Sequence, residues 1–235
     1  MSEPLTYLTW DEKKVDTLEK QFNDSFDVLK WAYEEYGNEL VYACSFGVEG
    51  IVLIDMISKV NEAARVLFLD TDLHFDETYK VIEKVKNRYP NLDITMVKPK
   101  LTLHEQVKEY GERLWERDPN QCCQIRKIIP LAKHLSSASA WISGIRRQQS
   151  PTRQRTNYIN KDEKFKTIKI CPLIHWTLEE IWMYVNVHEL DYNELHDRGY
   201  PSIGCAVCTQ PTADPNDERS GRWAQFEKTE CGLHT

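Results

Sequence analysis

The chain has 235 residues, of which 41% are hydrophobic, and its 30 Lys and Arg against 37 Asp and Glu give a net charge of −7. This length and apolar content allow a sizeable buried core, whereas the acidic balance argues against general binding to nucleic acid or to anionic membranes. No apolar run approaches the ~18 residues of a membrane span. A small anionic ligand stays possible in an acidic protein if the basic residues cluster at one site.

The first half of the chain alternates predicted helices and strands. Residues 10–36 carry apolar side chains at spacings of three and four, which is typical of an amphipathic helix. Strands are predicted at 40–43, 65–69 and 93–97, and helices at 48–60 and 76–89. This alternation indicates a parallel α/β sheet, in which ligands bind at the carboxyl ends of the strands, near a topological switch point.

The second half keeps the alternation less regularly. Helices are predicted at 103–110, 122–135 and 177–188, with Pro130 expected to kink or divide the second, and strands at 140–144 and 164–170. A polar loop at 146–157 carries four arginines, and turn residues dominate beyond residue 191. We therefore expect an α/β domain over residues 1–200, followed by a functional C-terminal segment over residues 201–235.

Two strand ends carry candidate binding residues. Ser45 and Gly47 stand between a predicted strand and a helix, where backbone N–H groups and a hydroxyl can bind an anion. Asp70 ends the next strand, where a carboxylate can accept a hydrogen bond from a ribose or an adenine group. An ordinary βα turn and a helix cap explain the same residues, so these patterns alone do not settle a function.

The seven cysteines bear on the cellular compartment. The N-terminal residues lack the basic and apolar regions of a signal peptide, so we expect a cytoplasmic protein whose thiols stay reduced. In that compartment an odd number of cysteines favours metal binding or catalysis over a disulfide framework. Cys44 and Cys171 have no motif partner and are expected in the core.

Four cysteines form two pairs, Cys122-Cys123 and Cys205-x-x-Cys208. Four thiolates can hold a zinc ion or an iron–sulfur cluster. Structural zinc sites usually separate paired ligands by two to four residues, whereas a cubane offers a separate iron to each cysteine and accommodates neighbours more easily. The adjacent pair therefore favours a cluster, and a zinc knuckle or two buried cysteines remain the alternatives.

The C-terminal tail carries the last cysteine, Cys231, beside Gly232. Chain ends are exposed, and an exposed cysteine packs poorly but serves well as a nucleophile or a redox group. Arg219, Arg222 and Lys228 lie in the same tail, where they could neutralise an anionic substrate and favour the thiolate. An incidental exposed thiol is the alternative interpretation.

Taken together, these motifs resemble those of the assimilatory adenylyl-sulfate (APS) reductases of the APS/PAPS reductase family. The resemblance rests on C-C-x-x-R-K, the downstream C-x-x-C, the loop 142–147, the segment E-R-S-G-R-W and the terminal E-C-G-L-H, and it extends from about residue 40 to the end. It implies an adenine-nucleotide-hydrolase-like fold related to the PP-loop ATPases, with a mobile C-terminal tail. The PP-loop pattern S-G-G-x-D-S is only partly kept in Ser45-Phe46-Gly47-Val48-Glu49-Gly50, which agrees with a substrate that lacks a pyrophosphate.

The resemblance also implies a reaction and its residues. Cys231 would attack the sulfonate sulfur of APS, AMP would leave, and thioredoxin or a glutaredoxin-like dithiol would release sulfite from the cysteine S-sulfonate, in sulfate assimilation and cysteine biosynthesis. A [4Fe-4S] cluster on the four paired cysteines and a homo-oligomer are further implications. The expected substrate-binding residues are Ser45, Gly47, Asp70, Lys127, Arg146, Arg147, Arg219 and Arg222.

Other functions fit parts of the sequence. The same mechanism could act on PAPS, the 3′-phosphorylated form of APS, or on both nucleotides. A PP-loop ATPase that adenylates its substrate would need the intact loop and gives no role to E-C-G-L-H. A zinc-stabilised binding module predicts a colourless protein, whereas an iron–sulfur cluster colours its protein brown.

Overall fold

A computed structural model describes residues 4–212, 214, 217–226, 228 and 230–234. These residues include a six-stranded sheet with the order β3-β2-β1-β4-β6-β5. Its strands are β1 (Leu40–Cys44), β2 (Arg65–Leu69), β3 (Asp93–Val97), β4 (Ala140–Ser143), β5 (Ile159–Asp162) and β6 (Thr167–Ile170). All neighbouring strands pair in parallel except β5, which is antiparallel to β6. The predicted parallel α/β fold is confirmed.

Helices cover both faces of the sheet. They are α1 (Glu12–Glu19), α2 (Ser25–Tyr36), α3 (Val48–Val60), α4 (Asp76–Arg88), α5 (Leu103–Tyr110), α6 (Leu114–Arg117), α7 (Pro119–Cys123), α8 (Ile129–Leu135) and α9 (Leu178–Val187). Successive side chains of a strand point to opposite faces. Tyr42 accordingly packs in the cluster with α2, α3, α4 and α9, whereas Val41 packs in a second cluster with α8. The core therefore has two layers, one on each face of the sheet.

The strand order creates a topological switch point between β1 and β4. The chain leaves β1 toward β2 and β3 on one side, and then returns to place β4 and β6 on the other side. The loops that follow β1 and β4 therefore diverge in opposite directions, which opens a crevice at their carboxyl ends.

The N-terminal region differs from the sequence expectation of one long helix. Two helices, α1 and α2, are separated at residues 20–24. The Asp24 side chain accepts a hydrogen bond from the N–H of Asp27, and the Asp27 side chain accepts one from the N–H of Asn23. These short polar side chains cap the start of α2. The spacing of apolar residues does not predict such a break between two helices.

The predicted helix at 122–135 is divided in an unexpected way. A π-helical turn, Gln124–Ile128, separates α7 from α8, and Pro130 lies in the first turn of α8. Proline offers no N–H to the turn before it, which accounts for a change of helical pitch at this point. π-Helical turns occur frequently at functional sites, and this one carries Arg126 and Lys127.

The strand expected at 164–170 is shorter than predicted and gains a partner. It is β6, which forms an antiparallel hairpin with β5, a strand that the sequence analysis did not predict. The N–H groups of Lys164 and Phe165 donate to the Asp162 carboxylate, and Lys166 has a φ of 54°. These features shape the hairpin turn.

None of the helices in the described part of the chain is long and apolar enough to cross a bilayer.

Candidate functional site

A deep cleft opens at the carboxyl ends of β1 and β4. It is lined by residues from both strand ends and from the C-terminal segment, and such concave sites are where proteins bind small molecules. Ser45 and Gly47 after β1 and Gly144 after β4 form one wall, and residues of the C-terminal segment form the opposite wall. The cleft therefore lies at the topological switch point, where open α/β sheets bind their ligands.

The turn after β1 exposes its backbone to the cleft. Phe46 has a φ of 54°, and Gly47 precedes α3 without a side-chain cap. Anions bind readily at such a helix N-terminus. A Cβ on Gly50 would lie 3.0 Å from the Sγ of Cys44, which explains why a glycine stands at this close approach. Ser45 and Gly47 both line the cleft, as a nucleotide-binding turn requires.

Three of the predicted cations, Lys127, Arg219 and Arg222, line the same cleft. The Arg222 guanidinium stacks 4.5 Å from the ring centroid of Trp223, and a Cβ on Gly204 would collide with it. Burial would lower the pKa of Lys127, but neighbouring cysteines, Cys205 foremost, raise that pKa above its ordinary value. The acidic chain thus concentrates positive charge at one place.

Three other predicted binding residues are engaged elsewhere and do not line the cleft. Arg146 is fully buried between two carboxylates, with Nε 2.9 Å from Glu49 and Nη2 2.6 Å from Glu218. Arg147 donates to the carbonyl of Thr156 at 2.7 Å. Asp70 accepts a hydrogen bond from the Tyr79 hydroxyl at 2.7 Å and forms an ion pair with Lys98 at 3.0 Å.

Cys231 is half-buried and lines the cleft together with Lys127. The two side chains lie within electrostatic range, since Cys231 is one of the groups that raise the pKa of Lys127. Cys44 also lines the cleft, but burial raises the pKa of its thiol to about 12. Cys44 is therefore poorly suited to act as a thiolate at neutral pH.

The sequence analysis missed several residues of the cleft. Arg153 and Glu230 form a buried ion pair in its wall. Two signals in the sequence could have indicated them. Arg153 belongs to the arginine-rich loop at 146–157, and Glu230 directly precedes Cys231. Arg153 lies outside the motif at 142–147, so no motif pointed to it. Further lining residues that were not predicted are Glu49, His74, Trp141, Gln149, His196, Leu233 and His234.

The residues that follow Cys231 complete the wall of the cleft. Lys164 donates to the carbonyl of Gly232, and Leu233 packs against the cluster that contains Trp141. The His234 ring stacks on Trp141 at a centroid distance of 6.0 Å and an interplanar angle of 9°. The tail thus folds over the site. The mobility of the tail stays a prediction, and so does the division of the chain at residue 200.

The four paired cysteines line one cavity beside the cleft. Three of them are buried, and Cys208 is half-buried. Burial and the three neighbouring cysteines raise the pKa of Cys122 to about 12. Burial also acts against the Cys205 thiolate, but the charge of Lys127 and a hydrogen bond with Thr71 hold the pKa of Cys205 below its ordinary value. The thiols are therefore near one another and near cations.

Backbone contacts hold the second cysteine pair against the sheet. His74 and Cys205 form an isolated β-bridge, and the N–H of Ala206 donates to the carbonyl of Leu73 at 2.7 Å. Thr71 lies 3.2 Å from the Sγ of Cys205. The loop after β2 thus brings residues distant in sequence to α7, which ends with Cys122 and Cys123.

This donor set suits an iron–sulfur cluster. The residues that line the cavity include four cysteines and no carboxylate, and thiolates are the ligands that such clusters prefer. In the described ranges, no three His, Cys, Asp or Glu side chains gather around one point as ligands of a single metal ion do. A cubane binds each cysteine at a different iron, so its four ligands need not converge in this way.

Comparison with known proteins identifies the family. Residues 39–211 match the profile of the phosphoadenosine phosphosulfate reductase domain. The chain belongs to this family. It is 59% identical over 234 residues to adenosine 5′-phosphosulfate reductase 2 of Bacillus subtilis, spanning 100% of this chain and 99% of the relative. It is 60% identical over 232 residues to adenosine 5′-phosphosulfate reductase of Geobacillus thermodenitrificans, spanning 98% and 99%.

Solved structures agree with the family and with its fold. The phosphate complex of phosphoadenylyl-sulfate reductase from Candida auris superposes with a TM-score of 0.72 at 32% identity, covering 84% of this chain and 97% of the other. FMN adenylyltransferase from Candida glabrata superposes with a TM-score of 0.60 at 18% identity, covering 95% and 79%. The second likeness shows the fold alone.

Proposed function

We propose that this protein reduces adenylyl sulfate to sulfite and AMP, with thioredoxin or a glutaredoxin-like dithiol as electron donor. The observation that carries the proposal is the position of Cys231, which lies with Lys127, Arg219 and Arg222 in a cleft at the strand ends. Relatives about 60% identical over nearly the whole chain are named adenosine 5′-phosphosulfate reductases, which supports APS as the substrate.

In the proposed first step, adenosine binds over the ends of β1 and β4, and the phosphosulfate faces the three cations. The Cys231 thiolate attacks the sulfonate sulfur, the bond between that sulfur and the bridging oxygen breaks, and AMP leaves. Attack of an anion on an anion is opposed by charge repulsion, which Lys127 and the two arginines offset because they are already oriented in the cleft. The product on the protein is a cysteine S-sulfonate.

In the proposed second step, a thiolate of the dithiol donor attacks the sulfur of Cys231, and sulfite leaves with the bonding electrons. This forms a mixed disulfide, which the second thiol of the donor resolves, so that the donor is oxidised and Cys231 returns as a thiolate. One tail cysteine is sufficient because the donor supplies the other two thiols.

We further propose that Cys122, Cys123, Cys205 and Cys208 hold a [4Fe-4S] cluster. When bound, the cluster would shape the electrostatic field of the cleft rather than pass an electron to the substrate. The residues of the chain support this role, since Lys127 lines both the cluster cavity and the cleft. We propose a cytoplasmic location, because thiols stay reduced in that compartment. Self-association of the chain stays a prediction.

Sulfite release tests the proposed function. Wild-type protein with reduced thioredoxin should release sulfite from APS, as the relatives' names favour. PAPS run in parallel distinguishes an enzyme that uses APS alone from one that uses both nucleotides. Faster release from PAPS would favour the alternative substrate, which the Candida auris structure represents. Zinc in place of iron together with no reductase activity would favour the binding-module alternative.

The nucleophile is tested by single turnover without the donor. Intact-protein mass spectrometry should find one SO3 group on Cys231 of the wild type and none on Cys231→Ser, because a hydroxyl is a much weaker nucleophile than a thiolate at neutral pH. Cys44→Ser is the matched control, since it removes the other thiol that lines the cleft, and it should still form the adduct. An adduct on Cys44 or Cys171 would contradict the mechanism.

A further inference from the structure

We propose that Glu230 is a positioning residue whose ion pairs with Arg153 and Arg219 hold Cys231 in the cleft. We call these three side chains the tail anchor. The role in catalysis rests on the proposed function, whereas the docking of the tail does not.

The Glu230 carboxylate is surrounded by donors. Arg153 donates to it through two nitrogens, Nε to Oε1 and Nη2 to Oε2, each at 2.9 Å. Arg219 Nη2 lies 3.2 Å from Oε2, and Ser150 Oγ lies 3.1 Å from Oε1. Both oxygens therefore have charged partners, and the paired geometry with Arg153 is the arrangement that a guanidinium and a carboxylate favour.

The Arg153–Glu230 pair of the tail anchor is buried, which distinguishes it from a surface ion pair. Arg153 is 4% exposed and Glu230 is 6% exposed. An exposed pair contributes little to stability, but loss of one partner from a buried pair leaves an uncompensated charge. The tail thus has a strong preference for the docked position as long as Glu230 carries its charge. Although burial opposes ionisation, Arg153 and Arg219 hold the pKa of Glu230 below its ordinary value.

The anchor stands immediately before the reactive residue. Glu230 is bound on one side of Cys231, and on the other side Lys164 binds the Gly232 carbonyl and Leu233 packs beside Trp141. Cys231 is therefore held between two fixed points of the backbone. Small displacements of a reacting group are costly in rate, so a loss of either fixed point should affect turnover.

The anchor also assigns different tasks to the basic residues of the cleft. Arg153 uses Nε and Nη2 on Glu230, and its Nη1 donates to the Gln149 side chain. All of its nitrogens are thus engaged within the protein. Arg153 therefore binds the tail in this arrangement, whereas Lys127 and Arg222 line the cleft, where they can face an anionic ligand.

The alkylation rate of Cys231 by iodoacetamide, mapped by mass spectrometry without nucleotide, tests the docking. Glu230→Gln keeps the shape of the side chain and removes its charge, and it should raise this rate about tenfold or more, as expected for the loss of charge-assisted hydrogen bonds from a docked state. Arg153→Gln should give a similar rise, and the double variant should add little to either single change, because both remove one interaction. Glu77→Gln, which removes the charge of Glu77 from its pair with the exposed Arg198, is the control and should match the wild type.

Kinetics on the same variants test positioning. Glu230→Gln should lower kcat for sulfite release with little change in KM for the nucleotide, and Glu230→Asp, which keeps the charge, should recover part of the loss. An unchanged alkylation rate in Glu230→Gln and Arg153→Gln, with native unfolding profiles, would overturn the proposal. Fast alkylation of Glu230→Gln beside a wild type that releases no sulfite would leave the tail anchor standing and reject the proposed function.

Discussion

At the scale of single residues, charge in the cleft depends on which basic side chains remain available. Arg146 is neutralised by Glu49 and Glu218, and Arg153 is neutralised by Glu230. Lys127 and Arg222 line the cleft beside Cys231. A protein with a net charge of −7 can therefore attract an anion locally, because field strength depends on nearby groups more than on the total charge.

This arrangement predicts the effect of removing single cations. Lys127→Ala and Arg222→Ala should each weaken binding or turnover of APS by about 1.5–3 kcal/mol, the contribution of a hydrogen bond to a charged group. Arg65→Ala is the control, since Arg65 begins β2 at the opposite end of the strand and donates to the Asn38 carbonyl. The ratio kcat/KM measures these changes. If both cleft variants kept the wild-type kcat/KM, Lys127 and Arg222 would not belong to the substrate site.

At the scale of elements, one buried carboxylate connects three helical regions behind the sheet. Asp55 of α3 accepts hydrogen bonds from Lys59 at 2.6 Å, from Tyr184 of α9 at 2.7 Å and from Tyr89, at the end of α4, at 2.8 Å. Its side chain is 7% exposed. The helix α3 begins at the turn after β1 that lines the cleft, so the contacts of Asp55 help to hold the helix that carries this turn.

Asp55→Asn should lower the free energy of unfolding by about 1.5–3 kcal/mol, because an amide replaces a carboxylate that accepts three hydrogen bonds. Urea unfolding measures the change. Glu83→Gln, which weakens the exposed pair with Lys86, is the control and should cost about 0.5 kcal/mol or less. A loss for Asp55→Asn as small as that of the control would contradict the assigned role.

The same carboxylate predicts a pH dependence. Burial opposes its ionisation, but Lys59 and the two tyrosines hold the pKa of Asp55 below its ordinary value of 3.8. A carboxyl whose pKa is lower in the folded state stabilises the fold above its unfolded pKa and loses that contribution as pH falls through the folded pKa. The difference in unfolding free energy between wild type and Asp55→Asn should therefore be constant near neutral pH and shrink below about pH 4.

At the scale of the whole molecule, the cysteine cavity brings together two parts of the chain that lie far apart in the sequence. Cys122 and Cys123 come from α7, and Cys205 and Cys208 come from the segment that also carries Arg222. A metal group that binds both pairs would fix the relative position of the two parts of the chain. Because binding energy that favours only the folded state adds to stability, the group would also stabilise the fold.

Anaerobically purified protein should therefore contain about four irons per chain. Serine at any of the four cysteines should lower the iron content, the brown colour and the melting temperature together, whereas Cys171→Ser, which changes a buried thiol outside the cavity, should keep the iron. Elemental analysis and absorption spectra are the measurements. Stoichiometric zinc without iron in active protein would refute the cluster.

The sequence by itself determined the alternation of strands and helices, the parallel sheet and the cysteine motifs, because these depend on local periodicity and on residue types. It also indicated the positions of Ser45, Lys127, Arg222 and Cys231, since each stands in a motif or at a predicted strand end. The antiparallel β5 and the break before α2 were missed, because short polar side chains and strand pairing decide them.

Only the tertiary structure decided which charges remain available to a ligand. In the sequence, Arg146, Arg147 and Arg153 all belong to one arginine-rich loop, and the motif at 142–147 pointed to the first two as binding residues. In the fold, two of them are buried against carboxylates that lie about 70 or more residues away along the chain, and the third donates to a nearby carbonyl. Electrostatic pairing depends on distance in space and on burial, and neither can be read from the order of residues.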